Sequence, residues 1–178
     1  MDFAATRIAG VTVVELEPFA DDRGFFARLH CPEDFAAAQH PFAPVQTSLS
    51  RNTLARTLRG MHYQLAPKAE AKLVRVTRGR IFDVALDLRP ESDTYLHWTA
   101  LELSGENGRA LLIPEGVAHG FITLEPDTDV LYQIDRKFEP GYGRGVRWDD
   151  PAFAIGWPVT PSVISAQDAA YPDYETGS

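Results

Sequence analysis

The sequence predicts an all-β fold, either a sandwich or a small barrel, from three observations. The region between about Val45 and Trp148 is a succession of short apolar or alternating runs, which are typical of strands. Clusters of Gly, Pro, Asp, Asn and Ser separate these runs at turn-like intervals. Helix signals are confined to the flanks. We therefore predict strands at residues 72–77, 81–88, 98–103, 109–113, 121–124 and 130–134.

Each flank carries one short helical signal. Pro32 opens an acidic turn that runs into alanines, and proline is common at the first helical position. Ser165 is followed by Ala-Gln-Asp, which predicts another helical turn near the C-terminus. The tail after Tyr171 is polar, and we expect it to fray. The chain is expected to form one domain, residues 1–178, with an N-terminal arm (about 1–44), a barrel (about 45–150) and a C-terminal segment (about 151–178).

Composition restricts the partners and the location of the protein. The formal net charge is −8, whereas nonspecific binding of nucleic acid needs a clustered basic surface. No apolar run approaches the roughly 20 residues that a bilayer requires, and the first ten residues lack the pattern of a signal peptide. Cys31 is the single cysteine, so no intrachain disulfide can form. We expect a cytoplasmic protein without nucleic-acid or membrane partners.

Four polar residues lie in or beside the apolar runs, where a small barrel would hold a ligand. They are His62, Lys72, His119 and Tyr132. Inward polar side chains cost free energy unless they are paired or used, which makes these four worth attention. Taken singly, each is more typical of a structural residue or a solvated strand end than of a catalytic group.

The segment 58–64 is expected to be a strand with two different faces. Strand alternation places His62 on one face together with Gly60 and Gln64. The same alternation places Arg59 on the opposite face, with Met61 and Tyr63.

The motifs are informative because of their order along the chain. The ordered segments are Arg59-Gly60-x-His62-Tyr63-Gln64, Lys72-Leu73-Val74, Gly79-x-Ile81-x-Asp83-Val84-x-x-Asp87-x-Arg89, Pro114-x-Gly116-x-Ala118-His119-Gly120-Phe121, Tyr132, Trp148-x-Asp150-Pro151 and Ile155-x-Trp157-Pro158. With this series the sequence closely resembles dTDP-4-dehydrorhamnose 3,5-epimerase and its relatives. The resemblance runs from about Ile8 to Asp168, nearly the whole chain.

The resemblance implies a fold and a reaction class. The fold is a cupin jelly roll, a double-stranded β-helix with short flanking helices, in a homodimer. The reaction uses neither a metal nor an organic cofactor, and the substrate is a nucleotide-diphospho-4-keto-6-deoxyhexose. The family inverts the configuration at C3, at C5 or at both carbons beside the C4 ketone, so the resemblance implies that the chain is an isomerase of deoxysugar biosynthesis.

The resemblance also implies roles for four catalytic residues. His62 would remove the proton from the carbon beside the ketone, and Asp168 would be the carboxylate that pairs with it. Such a partner fixes the imidazole tautomer and stabilises the imidazolium form. Lys72 would stabilise the enolate oxygen. Tyr132 would return a proton to the opposite face.

A larger set of residues is similar to the family's substrate contacts. Phe138 occupies the position of an aromatic that stacks on the base, and the N-terminal segment around Arg23 reaches into the partner's site in relatives. Arginine suits diphosphate binding through its forked donors. The residues assigned to substrate binding in this way are Arg23, Phe26, Gln46, Ser48, Arg59, His119 and Phe138.

The sequence departs from the family pattern at four positions. Arg28 stands where the family has glutamate, Ser48 where it has asparagine, and Phe138 where it usually has tyrosine. A glutamate expected near position 143 is Gly143. All four positions are associated with nucleotide or phosphate contacts, so dTDP-, CDP- and GDP-linked sugars all remain open.

Three other functions compete with the epimerase. A metal-dependent cupin, such as a dioxygenase or a metal isomerase, typically has a His-x-His pair, a glutamate and a later histidine. Here the first motif offers His62 followed by Tyr63 and Gln64, so one imidazole is missing. A sugar 3,4-ketoisomerase is disfavoured for the same reason. An inactive sugar-nucleotide binding cupin would have no need for a base and an acid on opposite faces.

Overall fold

Two facing antiparallel sheets form the protein in a computed structural model that describes residues 1–175. The first sheet has the spatial order β1 (Asp2–Ala5), β2 (Thr12–Glu15), β10 (Ala110–Ile113), β7 (Lys72–Arg78), β12 (Thr128–Ile134) and β5 (Gln46–Asn52). The second has the order β13 (Gly143–Gly145), β6 (Thr57–Gln64), β11 (Val117–Thr123), β8 (Arg80–Asp87) and β9 (Trp98–Ser104).

Five short elements complete the fold. Strand β14 (Val163–Ile164) pairs with β6 in parallel, and β3 (Phe19–Asp21) and β4 (Gly24–Phe26) form a separate hairpin. Helices α1 (Pro32–Ala37) and α2 (Ala166–Ala169) lie in the flanks. The predicted all-β jelly roll with short flanking helices is confirmed. The six strands predicted between residues 72 and 134 and the strand expected at 58–64 are all present, although the run at 121–124 is only the end of β11.

Strand alternation builds the core between the sheets. In β7, Val74 and Val76 point inward and Leu73 points to the outer face, as a period of two requires. The inner cluster fills one end of the space between the sheets. Its largest members are Ile8, Ile81, Leu103, Leu111, Ile113 and Phe121.

The outer faces are covered by the two flanks of the chain. Helix α1 begins at Pro32 as predicted and packs Phe35 on the first sheet, where this side chain is fully buried. The C-terminal segment covers the second sheet with Phe153 and Trp157.

The expected fraying after Tyr171 is wrong for Tyr174. Its backbone N–H donates to Asp150 at 2.6 Å, and its ring packs on Phe153. Residues 176–178 of the predicted frayed tail lie outside the described residues.

Candidate active site

A cavity of about 740 Å³ opens between the two sheets, at the end of the barrel that the apolar core leaves unfilled. This volume is in the range of pockets that bind small organic ligands. Strands β5, β6, β7, β11, β12 and β13 supply its walls, together with α2. His62, Lys72, His119, Tyr132 and Asp168, all predicted as site residues, line it.

His62 and Asp168 form a hydrogen-bonded pair in one wall of the cavity. Nε2 of His62 lies 2.7 Å from Oδ1 of Asp168, and the Gly60 N–H donates to the second carboxylate oxygen at 3.3 Å. The predicted helical turn is confirmed, because the Ser165 side chain caps α2 by accepting from the Asp168 N–H. Burial alone would raise the pKa of Asp168, but the hydrogen bond from His62 and the nearby donors hold it below its usual value.

Arg59 lies on the same side of β6 as His62, so the prediction that alternation separates them is wrong. The pairing register between β6 and β11 shifts within this segment. Arg59 pairs with Phe121, whereas His62 pairs with His119. Two residues of β6 therefore lie opposite a single residue of β11, which is a β-bulge. The bulge turns both Arg59 and His62 inward, while Met61 is buried on the outer face.

The bulge requires glycine at position 60. Gly60 has φ 129°, in a region that L side chains rarely adopt. A Cβ atom there would lie 2.5 Å from the Cα atom of Gly120. This close contact between the two strands leaves no room for a side chain.

Lys72 is buried beside a carboxylate that neutralises it. Its Nζ lies 2.9 Å from Oε1 of Glu70, and Gln64 donates to the other oxygen of Glu70 at 2.8 Å. Both ends of the ion pair are more than nine-tenths buried. The ammonium is thus held at a fixed place in the cavity wall, which is how a preorganised cation meets a developing negative charge.

His119 belongs to a second histidine–carboxylate pair next to Tyr132. Nε2 of His119 lies 2.7 Å from Oδ1 of the fully buried Asp83, whose Oδ2 has no hydrogen-bond partner among residues 1–175. The rings of His119 and Tyr132 meet edge to face with centroids 5.9 Å apart. Burial and the Asp83 charge raise the pKa of Tyr132, while Arg59 opposes them. The phenol therefore keeps its proton at neutral pH.

His62 and Tyr132 thus face one common space. His62 is directly opposite His119 in the β6–β11 pairing, and such neighbours have Cβ atoms roughly 4.5–5.5 Å apart. Tyr132 contacts that same His119 from the other sheet. A ring-shaped ligand in the cavity would lie between the His62 imidazole of the second sheet and the Tyr132 phenol of the first.

The predicted substrate-binding residues of the barrel lie at the cavity or beside it. Arg59 donates to Oδ1 of the buried Asn52 at 2.8 Å and faces the cavity with Ser48. Phe138 also lines the cavity, and its N–H donates to Oε1 of Gln46 at 3.2 Å.

Arg23 and Phe26 lie outside the cavity of their own chain. Both belong to the β3–β4 hairpin, where Arg23 pairs with Asp21. Phe19, Phe25 and Phe26 are each at least 65% exposed on this hairpin. One chain alone therefore leaves these two predicted substrate contacts unassembled.

The departures from the family pattern occupy two regions. Arg28 is exposed and pairs with Asp34 at 3.4 Å, away from the cavity. Gly143, Ser48 and Phe138 line the cavity. A Cβ atom at Gly143 would lie 3.3 Å from the ring of Phe138, so glycine permits this ring to lie close to the strand.

Four polar residues that organise the site were not predicted from the sequence. Glu70 holds Lys72, Asp83 holds His119, and Asn52 holds Arg59. Tyr171 contacts the edge of the His62 ring with centroids 6.3 Å apart. The one signal in the sequence was the position of Glu70, two residues before Lys72. The contacts of the other three residues join different elements of the fold.

Within the described part of the chain, no three His, Cys, Asp or Glu side chains come together as a group able to hold a metal ion. Neither helix within residues 1–175 has the length and apolar character needed to cross a membrane.

The chain is similar in sequence to known proteins of one family. The sequence profile of the family dTDP-4-dehydrorhamnose 3,5-epimerase matches residues 5–176. The dTDP-4-dehydrorhamnose 3,5-epimerase of Sinorhizobium fredii is 42% identical over 173 residues, which cover 97% of this chain and 89% of that protein.

Solved structures of relatives share the fold over nearly their whole length. The dTDP-4-dehydrorhamnose 3,5-epimerase of Bacillus anthracis, with TDP and pyrophosphate bound, has a TM-score of 0.94 at 38% identity and covers 97% of this chain and 99% of its own. The enzyme of Legionella pneumophila in complex with dTDP-4-keto-L-rhamnose has a TM-score of 0.89 at 33% identity, with 98% of each chain covered. The chain therefore belongs to the dTDP-4-dehydrorhamnose 3,5-epimerase family.

Proposed function

We propose that this protein inverts C3 and C5 of dTDP-4-keto-6-deoxyglucose and forms dTDP-4-keto-L-rhamnose. One observation carries the proposal. A histidine with a buried carboxylate partner, a phenol that keeps its proton and a fixed ammonium line a single cavity of ligand size. These are the groups that proton transfer beside a ketone requires.

His62 is the base in this mechanism. A carbon-bound proton beside a ketone is weakly acidic, so the base must be oriented and its protonated form stabilised. Asp168 supports both tasks, because its ionised carboxylate lies 2.7 Å from Nε2 of His62. Nδ1 of His62 is then the nitrogen left to take the proton from the substrate.

Lys72 stabilises the enolate that forms at the C4 oxygen. Its ammonium is buried and fixed by Glu70, so little reorganisation is needed when charge develops. Groups of this kind typically contribute about 3 kcal/mol or more to the transition state.

Tyr132 returns the proton from the opposite face. Its raised pKa keeps the phenol protonated until the reaction needs the proton. Removal by His62 on one face and return by Tyr132 on the other inverts the carbon. The same pair serves C3 and C5 in turn, because both carbons adjoin the C4 ketone.

The nucleotide is proposed to be dTDP, bound by Arg59 at the diphosphate and by Phe138 at the base. The TDP and the dTDP-sugar held by the two structural relatives support this choice over CDP and GDP. Phe138 keeps the flat ring needed for stacking, although it lacks the hydroxyl of the family's tyrosine.

A homodimer is part of the proposal. The β3–β4 hairpin exposes Phe19, Phe25 and Phe26 beside Arg23, and a partner's cavity would cover these apolar rings. Arg23 and Phe26 would then complete the substrate site across the dimer. The single Cys31, which can form no intrachain disulfide, supports a cytoplasmic location.

Incubation of the purified protein with dTDP-, CDP- and GDP-4-keto-6-deoxyglucose in heavy water tests the proposal. NMR should detect deuterium at both C3 and C5 of the dTDP sugar, together with the inverted product. Exchange at C3 alone would make the protein a 3-epimerase. No exchange with any of the three substrates would make it a binding protein and overturn the proposal.

A further inference from the structure

The cations that line the cavity differ in what neutralises them. Lys72 is paired with Glu70, whereas Arg59 is held by the neutral amide of Asn52. Arg144 donates to the carbonyl oxygens of Gly141 at 3.1 Å and Gly143 at 2.8 Å. Within residues 1–175, no carboxylate forms an ion pair with Arg144, so the backbone orients its guanidinium without cancelling its charge.

Arg144 lies where β13 borders the cavity. Its cross-strand partner in β6 is Tyr63, one residue beyond the catalytic His62. Burial raises the pKa of Tyr63, and the Arg144 charge acts against this rise. Arg144 and Tyr63 both line the cavity, as do Phe138 and Gly143. The positive charge therefore reaches the part of the cavity that also holds the exposed aromatic ring.

Position 143, next to Arg144, carries no side chain that could pair with the Arg144 charge. The family pattern predicts a glutamate near position 143, and glycine is found instead. Glycine supplies no side-chain acceptor beside Arg144. With Gly143, the Arg144 side chain remains available to an anion from outside the protein.

We propose that Arg144 is a second anion-binding residue of the cavity and acts with Arg59 on the diphosphate of the substrate. The inference rests on the proposed function, because a sugar nucleotide supplies the anion. Both phosphates of a diphosphate diester are ionised at neutral pH, and Arg59 is the one arginine of the same chain that the proposed function places at them. A guanidinium is the group best suited to fill the gap, because its forked donors fit two phosphate oxygens.

Calorimetric titration with dTDP, thymidine and inorganic pyrophosphate tests the assignment. Arg144→Ala should raise the Kd for dTDP and for pyrophosphate at least tenfold and leave thymidine binding unchanged. Arg144→Lys, which keeps the charge but loses the fork, should give an intermediate loss. The wild-type affinity for dTDP should also fall more steeply with salt than that of Arg144→Ala, because one phosphate contact is missing in the variant.

Arg147→Ala is the matched control. Arg147 lies three residues further along the chain and pairs with Asp149 and Asp173, outside the cavity. This variant should bind dTDP like the wild type. Thermal unfolding of all three variants identifies any loss that comes from misfolding, and the lysine variant serves if the alanine variant is unstable.

Three results would overturn the assignment. They are an unchanged Kd for dTDP in Arg144→Ala, an equal loss of affinity for thymidine and dTDP, and an Arg144→Lys variant that binds as weakly as Arg144→Ala with no change in salt dependence.

Failure of the proposed function would give a different result. If the wild type binds pyrophosphate through Arg144 but not dTDP, the anion site stands and the nucleotide assignment fails, whereas binding of neither refutes both.

Discussion

Replacing Asp168 by asparagine removes the charge that supports the proposed base while keeping the shape of the side chain. The carboxylate is 4% exposed and accepts from His62 at 2.7 Å and from the Gly60 N–H at 3.3 Å. Hydrogen bonds to a charged group contribute about 1.5–3 kcal/mol. Because 1.4 kcal/mol corresponds to a factor of ten, Asp168→Asn should slow deuterium exchange at C3 and C5 by roughly ten- to a hundredfold.

The same substitution should change the pH dependence of stability. The folded-state pKa of Asp168 is depressed, so its ionised form stabilises the fold above the unfolded value of about 3.9. This contribution is lost as the pH falls through the folded-state value. Urea unfolding should therefore show Asp168→Asn as less stable than the wild type at pH 7, with a difference that shrinks on acidification.

A control variant separates the local effect from general loss of charge. Asp173 is exposed and paired with Arg147, and exposed ion pairs contribute about 0–1 kcal/mol. Asp173→Asn should keep the wild-type exchange rate. An Asp168→Asn enzyme with undiminished exchange would refute the claim that the carboxylate supports the base.

Three further substitutions test other parts of the account. Tyr132→Phe should reduce inversion far more than deuterium exchange, measured by NMR, and an equal loss of both would contradict its role as the distal acid. Lys72→Met should lower the exchange rate about a hundredfold with dTDP affinity unchanged, because the ammonium acts on the enolate. Asp87→Ala should lower the free energy of unfolding in urea by about 3 kcal/mol, because the fully buried carboxylate accepts hydrogen bonds from Arg89, Ser92 and Thr94 that the variant loses. An unfolding curve like that of the wild type would show that these hydrogen bonds contribute little.

The sequence predicted the strands and helix starts well because these depend on local signals. Pro32 and Ser165 begin the two helices for reasons of capping that need no tertiary contact. The strand predicted at residues 72–77 is present as β7, and in it Lys72 lies on the face that carries the inner valines. The ordered motifs, through the family resemblance, pointed to His62, His119, Tyr132 and Asp168 before any geometry was known.

The remaining features depend on contacts between distant segments. The bulge opposite Gly120 arises from the pairing of β6 with β11, and it reversed the expected side of Arg59. The buried carboxylate of Asp83 belongs to the site through its hydrogen bond with His119, which lies 36 residues away along the chain. No local sequence pattern indicates such partners, because they come together only when the strands pair and the sheets pack.

Deuterium exchange by His62→Ala tests the central claim most directly. The claim is that one imidazole removes the protons beside the ketone at both carbons. With dTDP-4-keto-6-deoxyglucose in heavy water, the variant should incorporate no deuterium at C3 or C5, while His97→Ala, an exposed histidine outside the cavity, should exchange at the wild-type rate. Exchange at both carbons that persists in His62→Ala would contradict the account.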